Sequence, residues 1–365
     1  MRRTYATHDV QIVPASSPEA AGFERELLAA GFRLPFPHRT ASAVLEPPPG
    51  PLFFMIRDRS GVPCAGFAAQ RRRSQALPGH VLLRVERFGA ALPTPEVRAV
   101  AVRAFADVCR ATPRILRAYV NMFAPDPGIQ REVESLVAAE GFQRNPKRRG
   151  YGTTILVDLR PEEEQILASL NKTARYNIRA AAKYPVAVRP VDRPELAGRL
   201  DELVREAFAR TSGEVELEDW PALIRFSARH PDLSQVLGLF RTDCAGPESL
   251  LAFAQAVHHG EYAEYRAAAS SRDPGVRVPQ THVLAWELIR WAKRHGAAFF
   301  DLGGVTPSTH TGPDPFQGIS AFKRFFSRTE VTLGDEWVLE PSALKAGLAR
   351  VVTSVARSVV SRSPA

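Results

Sequence analysis

The chain has 365 residues, 45% hydrophobic and 24% charged, a balance typical of folded globular proteins and not of disordered ones. Its three cysteines, Cys64, Cys109 and Cys244, stand far apart in no metal-ligand spacing, which argues against a disulfide framework and a zinc site. The formal net charge of +9 favours an anionic partner, although a general excess of arginine explains it equally well.

We expect no secretory signal at the beginning of the chain. Residues 1–12 contain two arginines but no apolar stretch of the kind found in secretory signals. No run of about 18 apolar residues occurs anywhere, so no membrane-spanning helix is expected. We therefore expect a cytoplasmic protein.

The first 150 residues alternate between helical and extended patterns. Apolar residues at helical spacing, turn-forming residues and β-branched runs mark the elements. In chain order they are a helix at 18–30, strands at 52–56, 64–70 and 81–85, a helix at 95–109, a strand at 115–120 and a helix at 129–141. Such alternation predicts an α/β domain with helices packed on the faces of a sheet.

The stretch 145–152 (NPKRRGYG) is rich in turn-forming and cationic residues and marks a domain boundary. The pattern then restarts. It predicts strands at 153–159, 235–240, 250–258, 262–268 and 298–302, and helices after Pro161 and at 195–209, 281–295 and 319–326. The sequence thus predicts domains at 1–150 and 151–340, followed by a helical tail at 341–365.

The helix predicted after Pro161 carries four cations on one face and apolar residues on the other. At about 100° per residue the cations fall within about 80° of one another. They are Lys172, Arg175, Arg179 and Lys183, opposite Leu167, Leu170, Ala174, Ile178 and Ala181. No acidic residue relieves the repulsion between cations four residues apart. The spacing fits the binding of a polyanion and equally a solvated face.

Two motifs near the end of the second domain are candidates for chemistry. The strand 298–302 runs into Gly303 and Gly304, which allow the close approach of a ligand or simply form a tight turn. Gly318 precedes a short helix in which Lys323 follows Phe322. A partly desolvated lysine is a strong partner for an oxyanion or phosphate. The alternative is a snorkelling lysine whose stem covers the aromatic rings.

Taken together, six segments in this order resemble the Fem family of bacterial aminoacyl transferases. They are TTILVDL, LNKTARYNIRAAAK, EYAEYRAAAS, AWELIRWAKRHG, FFDLGG and GISAFKRFF. Six motifs in the correct order are far more specific than any one of them. In residues 1–150 the resemblance rests only on AAEGFQ and on the order of elements.

The resemblance implies two tandem domains of the acetyltransferase (GNAT) fold, with mixed sheets flanked by helices. It implies transfer of an amino acid from aminoacyl-tRNA, without a cofactor, to an amine of a phosphorylated or lipid-linked peptidoglycan precursor. The Phe-Lys pair of the family makes Lys323 the catalytic candidate and Phe322 its neighbour. Arg210 would contact the precursor phosphates, and Tyr265, Gly303, Gly304 and Gly318 would line the substrate cleft. The basic helix would meet tRNA or the precursor diphosphate.

The sequence also departs from the family. The long coiled-coil arm of its larger members has no room between residues 209 and 233. An acidic residue of the first domain has no clear equivalent, because Asn121 and Asp126 are the only candidates near the expected place. First-domain substrate contacts therefore do not transfer.

Direct attack of an amine on the acyl donor is the expected mechanism, because no Ser-His-Asp order or cysteine nucleophile is evident. Asp301, at the strand end, is a candidate for the general base or a structural residue. An acyl-CoA-dependent N-acyltransferase, acting on a small-molecule or cell-envelope amine, is the alternative. Its pyrophosphate loop would be 272–277, where Pro274 removes an amide donor. A non-catalytic tRNA- or membrane-associated binding protein is the third reading.

The tail has the pattern of a basic amphipathic helix. Leu344, Leu348, Val351, Val355 and Val359 recur at helical spacing among Lys345, Arg350, Arg357 and Arg362. Such a helix docks on its own protein or lies on an anionic membrane. A lipid-linked acceptor would favour peripheral contact with the inner face of the membrane.

Overall fold

The computed structural model describes residues 1–89, 91–209, 217–271, 278–312, 314 and 317–360, with side chains up to residue 354. The chain divides into two units, Met1–Gly152 with Thr332–Ala365, and Thr153–Val331. Each unit has its own sheet and its own apolar core. The break at residue 152 lies at the segment that the sequence marks as a boundary.

The strands are β1 (Arg2–Thr4), β2 (His8–Pro14), β3 (Leu52–Asp58), β4 (Pro63–Arg73), β5 (Val81–Gly89), β6 (Ile115–Phe123), β7 (Gln143–Arg144), β8 (Thr153–Asp158), β9 (Val186–Pro190), β10 (Ser234–Arg241), β11 (Leu250–His259), β12 (Tyr262–Ser270), β13 (Phe299–Gly304), β14 (Glu330–Thr332) and β15 (Glu336–Leu339). The α-helices are α1 (Pro18–Ala29), α2 (Pro95–Ala111), α3 (Pro127–Ala139), α4 (Glu163–Ser169), α5 (Lys172–Ala180), α6 (Ala197–Phe208), α7 (Trp220–Arg229), α8 (Gln280–Arg294), α9 (Gln317–Arg324) and α10 (Ala343–Val360). Among the described residues, no helix is both long enough and apolar enough to cross a membrane.

The first three helices begin in the same way. A side-chain oxygen accepts a hydrogen bond from a free backbone N–H of the first turn, and a proline follows at the first helical position. The capping residues are Ser17, Thr94 and Asp126. Two backbone N–H groups, of Ile129 and Gly128, hold the pKa of the Asp126 carboxyl below its usual range. Asp126 is therefore a helix cap in the structure.

The sheet of the first unit has the strand order β1-β2-β3-β4-β5-β6-β15-β7. Its strands are antiparallel except for the parallel pair β5 and β6. Helix α2 packs its apolar side into the core formed with this sheet.

The predicted domain limits placed residues 332–340 in the second domain, but in the structure they belong to the first unit. Strand β15 lies between β6 and β7, so that Trp337 pairs with Val120 on one side and Arg144 on the other. The Trp337 ring is part of the first unit's core. Hydrogen bonds to the buried Glu336 carboxylate from Arg149 and Asn145 hold the strand there.

The sheet of the second unit has the order β14-β8-β13-β12-β11-β10-β9. Among the strand pairs described from β8 to β9, only β12 and β13, at the centre of the sheet, are parallel to each other. Helix α8 packs on this sheet through a run of buried residues, because apolar side chains recur at helical spacing along it. They are Leu284, Ala285, Leu288, Ile289 and Ala292.

Candidate active site in the second unit

The two central strands of the second sheet separate at their carboxyl ends. Strands β12 and β13 pair only at three positions, the last being Glu264 opposite Asp301. Beyond this point β12 continues along β11 as far as Ser270, and β13 continues along β8 as far as Gly304. We call this opening the split. The backbone groups that face it have lost their ladder partner and need another hydrogen-bonding group.

The corresponding parallel pair of the first unit does not open in this way. Strands β5 and β6 stay paired from Val81 to Gly89. They accommodate a bulge in which Arg87 has a positive φ of 49°, and its guanidinium lies 3.9 Å from the centre of the Phe123 ring. Where the second unit has an opening, the first unit therefore keeps its two strands paired as far as Gly89, beyond the bulge.

A buried carboxylate shapes the end of β13. The Asp301 side chain is fully buried, and its Oδ1 accepts hydrogen bonds from the Thr154 hydroxyl and, at 2.8 Å, from Gly303 N. The strand carries an extra residue relative to β8 at this place, and Gly303 has a φ of +76°. A glycine suits such a bulge because it has no Cβ to clash. The contacts give Asp301 a positioning role; its part in proton transfer stays a prediction.

Lys323 points from α9 to the end of β13. Its Nζ donates a hydrogen bond of 2.6 Å to Gly304 O, and the residue is only 9% exposed. Burial lowers the pKa of Lys323 to about 8, although the nearby carboxylates of Asp301 and Glu264 partly oppose this shift. The predicted Lys323, Asp301, Gly303 and Gly304 are thus brought together.

Helix α9 is anchored so that Lys323 is held in place. Ser320 Oγ accepts a hydrogen bond from Thr306 N at 3.1 Å. Arg324 donates to Thr306 O at 2.6 Å and forms an ion pair with Glu330 at 2.8 Å. The neighbours of Lys323 on the helix therefore fix it to the segment that follows β13.

A histidine that the sequence analysis did not select lies among the phenylalanines. The ring centre of His282, on the first turn of α8, lies 5.1 Å from that of Phe322, and the rings of Phe325 and Phe326 are within 6 Å. Burial lowers the pKa of His282 below its usual value. The rings meet only because α8 and α9 pack together, which no local sequence pattern indicates.

Glu264 is a second functional candidate that the sequence analysis missed. It is half-buried at the last paired position of β12, and its carboxylate lies 2.9 Å from Nε2 of the buried His259. A carboxylate and a histidine five residues apart on neighbouring strands give no recognisable motif. Their proximity arises from the tight turn between β11 and β12.

The other predicted substrate contacts fall in different surroundings. Tyr265 follows Glu264 on β12, packs against the core of the second unit, and burial raises the pKa of its phenol. Gly318 is exposed at the start of α9, and no atom of the described residues lies within 4 Å of the place that a Cβ would occupy. Arg210 and the loop 272–277 lie outside the described residues.

The basic helix predicted after Pro161 is two helices. Leu170 is extended between α4 and α5, and Asn171 caps α5 by accepting a hydrogen bond from Thr173 N at 2.9 Å. Arg175 donates to the last carbonyls of α4, Ala168 O at 2.9 Å and Leu170 O. The prediction of a single continuous helix was therefore wrong.

The division of the basic segment into two faces holds despite the break. Leu170, Ala174 and Ala181 are buried, and Leu167 and Ile178 pack on the core of the second unit. Lys172, Arg179 and Lys183 are exposed, with no carboxylate within ion-pair distance among the described residues. Three cations of this face thus have no internal charge partner in the described part of the chain.

A cleft of about 770 Å³ opens beside the phenylalanine rings of the segment that follows α9. Phe325 and Phe326 line it together with polar side chains of α4, of the residue that caps α5 and of the segment after α9. The polar lining includes Ser169, Asn171 and the exposed Arg328. Its volume is typical of clefts that bind small organic ligands. No group of three His, Cys, Asp or Glu side chains within the described ranges is placed to share a metal ion.

Comparison with known proteins gives a likeness in structure only. No protein family matches the chain, and no curated protein matches it in sequence. The crystal structure of FemX is similar with a TM-score of 0.64 and 14% identity, over 79% of this chain and 87% of FemX. A tandem GNAT protein from the clavulanic acid biosynthesis pathway is similar with a TM-score of 0.50 and 15% identity, over 92% of this chain and 99% of that protein.

At such low identity the likeness establishes the fold. The mixed α/β class and the two GNAT-like domains predicted from the sequence are confirmed, including the divergent first one. The likeness to FemX agrees with the expected family resemblance at the level of the fold. The chain has the tandem GNAT fold that FemX and the clavulanic acid pathway protein share.

Proposed function

We propose that the chain is an acyltransferase that transfers an acyl group directly to an amine at the split of the second unit. The observation that carries this proposal is the position of Lys323. Its ammonium group is buried and held by Gly304 O at the point where two central strands separate. A cation in such a water-poor site stabilises negative charge more strongly than one in water.

The charge of Lys323 suits stabilisation of a tetrahedral oxyanion. With a pKa of about 8 the side chain is mostly cationic at neutral pH, and desolvation makes the cation short of hydrogen-bonding partners. An oxyanion that develops nearby would accept a hydrogen bond from the ammonium group and so replace part of the hydration that Lys323 loses on burial. Removal of one such donor costs about two to three orders of magnitude in rate in other acyl-transfer enzymes.

The amine must lose a proton when it forms the new amide bond. Its nitrogen attacks the acyl carbon, the tetrahedral intermediate expels the alcohol or thiol of the donor, and a general base takes the proton. Glu264 is our candidate, because it is half-buried at the split and paired with His259. The proton is then passed to the departing oxygen or sulfur, so that the chain is unchanged after one cycle.

We propose an aminoacyl-tRNA as the donor and an amine of a phosphorylated or lipid-linked peptidoglycan precursor as the acceptor, with no cofactor. The exposed Lys172, Arg179 and Lys183 support a polyanionic partner, because nothing described in the chain neutralises them. The tandem GNAT fold shared with FemX supports the acyl-transfer class. Arg210 stays a candidate for a phosphate contact.

An acyl-CoA donor is the second candidate. It is supported by the likeness to the tandem GNAT protein, whose structure was determined without AcCoA. In that case the donor would be a thioester and the leaving group a thiolate. The same split, Lys323 and Glu264 would serve both donors, so the chemistry at the acyl carbon does not separate them.

Titration calorimetry with charged tRNA and with acetyl-CoA distinguishes the two donors. Binding of charged tRNA without measurable affinity for acetyl-CoA supports the first, and tight binding of acetyl-CoA with no affinity for tRNA overturns it. With whichever donor binds, Lys323→Met should lower the transfer rate about 100- to 1,000-fold. Lys147→Met, which removes an exposed lysine of the first unit, is the control and should leave the rate unchanged.

A further inference from the structure

Helix α10 docks on the first unit through small side chains. Ala346 and Ala349 are buried on the side of the helix that contacts β6. The Lys345 ammonium donates a hydrogen bond of 2.6 Å to Pro113 O, and Arg350 forms an ion pair of 2.8 Å with Glu340. The helix is therefore held in a defined orientation.

The opposite side of α10 exposes the large apolar residues. Leu344 is 88% exposed, Leu348 54% and Val351 60%. They follow one another at +4 and +3, so they form one stripe along the helix. We call it the outer stripe. The sequence pattern left open whether this stripe docks on the protein or lies on a membrane; in the structure the alanines dock and the stripe is exposed.

Positive charge surrounds the outer stripe. At about 100° per residue, Lys345 lies about 60° from Leu348 on one flank of the stripe, whereas Arg350 lies about 100° from Val351, on the side turned toward the buried Ala346. Glu340 is shared between Arg350 and Arg117, so this cluster keeps one net positive charge. Arg114, beside the carbonyl that Lys345 binds, is exposed. Residues 341–365 contain four cationic side chains and no acidic one.

We propose that the outer stripe of α10 binds an anionic phospholipid surface, with its leucines and valine among the acyl chains and its flanking cations at the headgroups. A helix with an apolar ridge and basic flanks lies in the plane of such an interface. A second copy of the chain fits the stripe less well, because a symmetric contact would bring the cations of both copies together. This inference does not depend on the proposed enzyme activity.

Flotation with vesicles tests the proposal on the full chain. One set contains phosphatidylcholine alone, and the other contains equal parts of phosphatidylcholine and phosphatidylglycerol. The wild type should float with the anionic vesicles and not with the neutral ones. The combined variant Leu344→Ser, Leu348→Ser, Val351→Ser should bind the anionic vesicles at least about tenfold more weakly.

A matched control separates this surface from general stickiness. Val44 and Val62 are also large, exposed and apolar, and both lie in the first unit. Val44→Ser with Val62→Ser should float like the wild type. Absence of wild-type flotation, or equal flotation of the outer-stripe variant, overturns the proposal. So does a wild-type dimer in analytical ultracentrifugation that the outer-stripe variant converts to a monomer, since a second copy then covers the stripe.

Discussion

At the scale of single residues, Lys323 has a role that its pH dependence can identify. An oxyanion stabiliser works as the cation, whereas a general base works as the neutral amine. Because the pKa of Lys323 is about 8, the rate advantage of the wild type over Lys323→Met should be constant below that pH. Above it the advantage should fall about tenfold per pH unit, since the cation is lost.

The ratio of kcat/KM for the two proteins, measured across this range, checks the prediction. Taking the ratio cancels the titration of the acceptor amine, which affects both proteins alike. A ratio that rises about tenfold per pH unit up to about pH 8 and is constant above it would identify Lys323 as the base and contradict the proposed role.

A separate prediction concerns Glu264, the proposed general base. Glu264→Gln keeps the size and polarity of the side chain but cannot accept a proton, so kcat should fall about 100- to 10,000-fold. The exposed Glu261, three residues earlier, offers a neighbouring control in Glu261→Gln. If Glu264 only positions His259, both variants should retain most of the wild-type kcat.

The glycines of the site should respond in opposite directions to substitution by alanine. Gly303 has a positive φ, so Gly303→Ala should lower the free energy of unfolding by about 1–2 kcal/mol. Gly318 lies in the first turn of α9, and none of the described atoms would clash with a Cβ there, so Gly318→Ala should raise the free energy of unfolding by about 0.5–1 kcal/mol. Urea denaturation measures both. A loss of transfer activity in the more stable Gly318→Ala would place the substrate next to that residue.

The sequence identified Lys323 and the glycine pair because they stand in short local motifs. It could not identify their partners. Gly304 O, Thr154 and Glu264 reach the site through the pairing of β8, β12 and β13, which are distant in the chain. Asp301 was found as a residue, but its hydrogen bonds to Thr154 and Gly303 show a structural task that its position in a motif does not reveal.

At the scale of elements, α4 and α5 illustrate what periodicity alone misses. The apolar spacing continues through residues 170 and 171, so the sequence reads as one helix. Asn171 interrupts it because its side chain satisfies an N–H at the start of α5, as asparagine commonly does at a helix N-cap. Short strands such as β9 and β14 were missed because they carry few residues and little alternation.

The exposed cations of α5 and of the turn that follows it lead us to expect salt-dependent binding of nucleic acid. Replacing Lys172, Arg179 and Lys183 together by glutamine should reduce the magnitude of the slope of log binding constant against log salt by about two to three, because three phosphate contacts are lost. Filter binding of charged tRNA at several salt concentrations measures the slope.

The matched control for this variant removes the same charge elsewhere in the second unit. Arg193, Arg225 and Arg229 are exposed, and their combined replacement by glutamine should leave the slope nearly unchanged. Equal reductions in the two variants would mean that only the net charge matters, and the face of α5 would lose its assigned role.

At the scale of the whole molecule, the two units have related folds but differ at their central strands. Both place one parallel pair among antiparallel strands. Only in the second unit do these strands separate, and there the lysine, the acids and the glycines come together. The sequence indicates a similar order of helices and strands in the two units. How far the two parallel strands stay paired depends on the bulges in each sheet and on strands that are distant in the chain, which the sequence pattern does not indicate.

The last prediction concerns residues 332–340, which follow the second unit in the chain but belong to the first. Trp337 is 8% exposed in the first core, so Trp337→Ala should destabilise that unit by about 3–5 kcal/mol. Trp286 is comparably buried in the second core, and Trp286→Ala should destabilise the second unit instead. Hydrogen exchange read by mass spectrometry should show faster exchange of β3 and β6 in the first variant and of β11 and β13 in the second. Faster exchange of β11 and β13 in Trp337→Ala would mean that the strand belongs to the second domain, as the sequence pattern alone suggests.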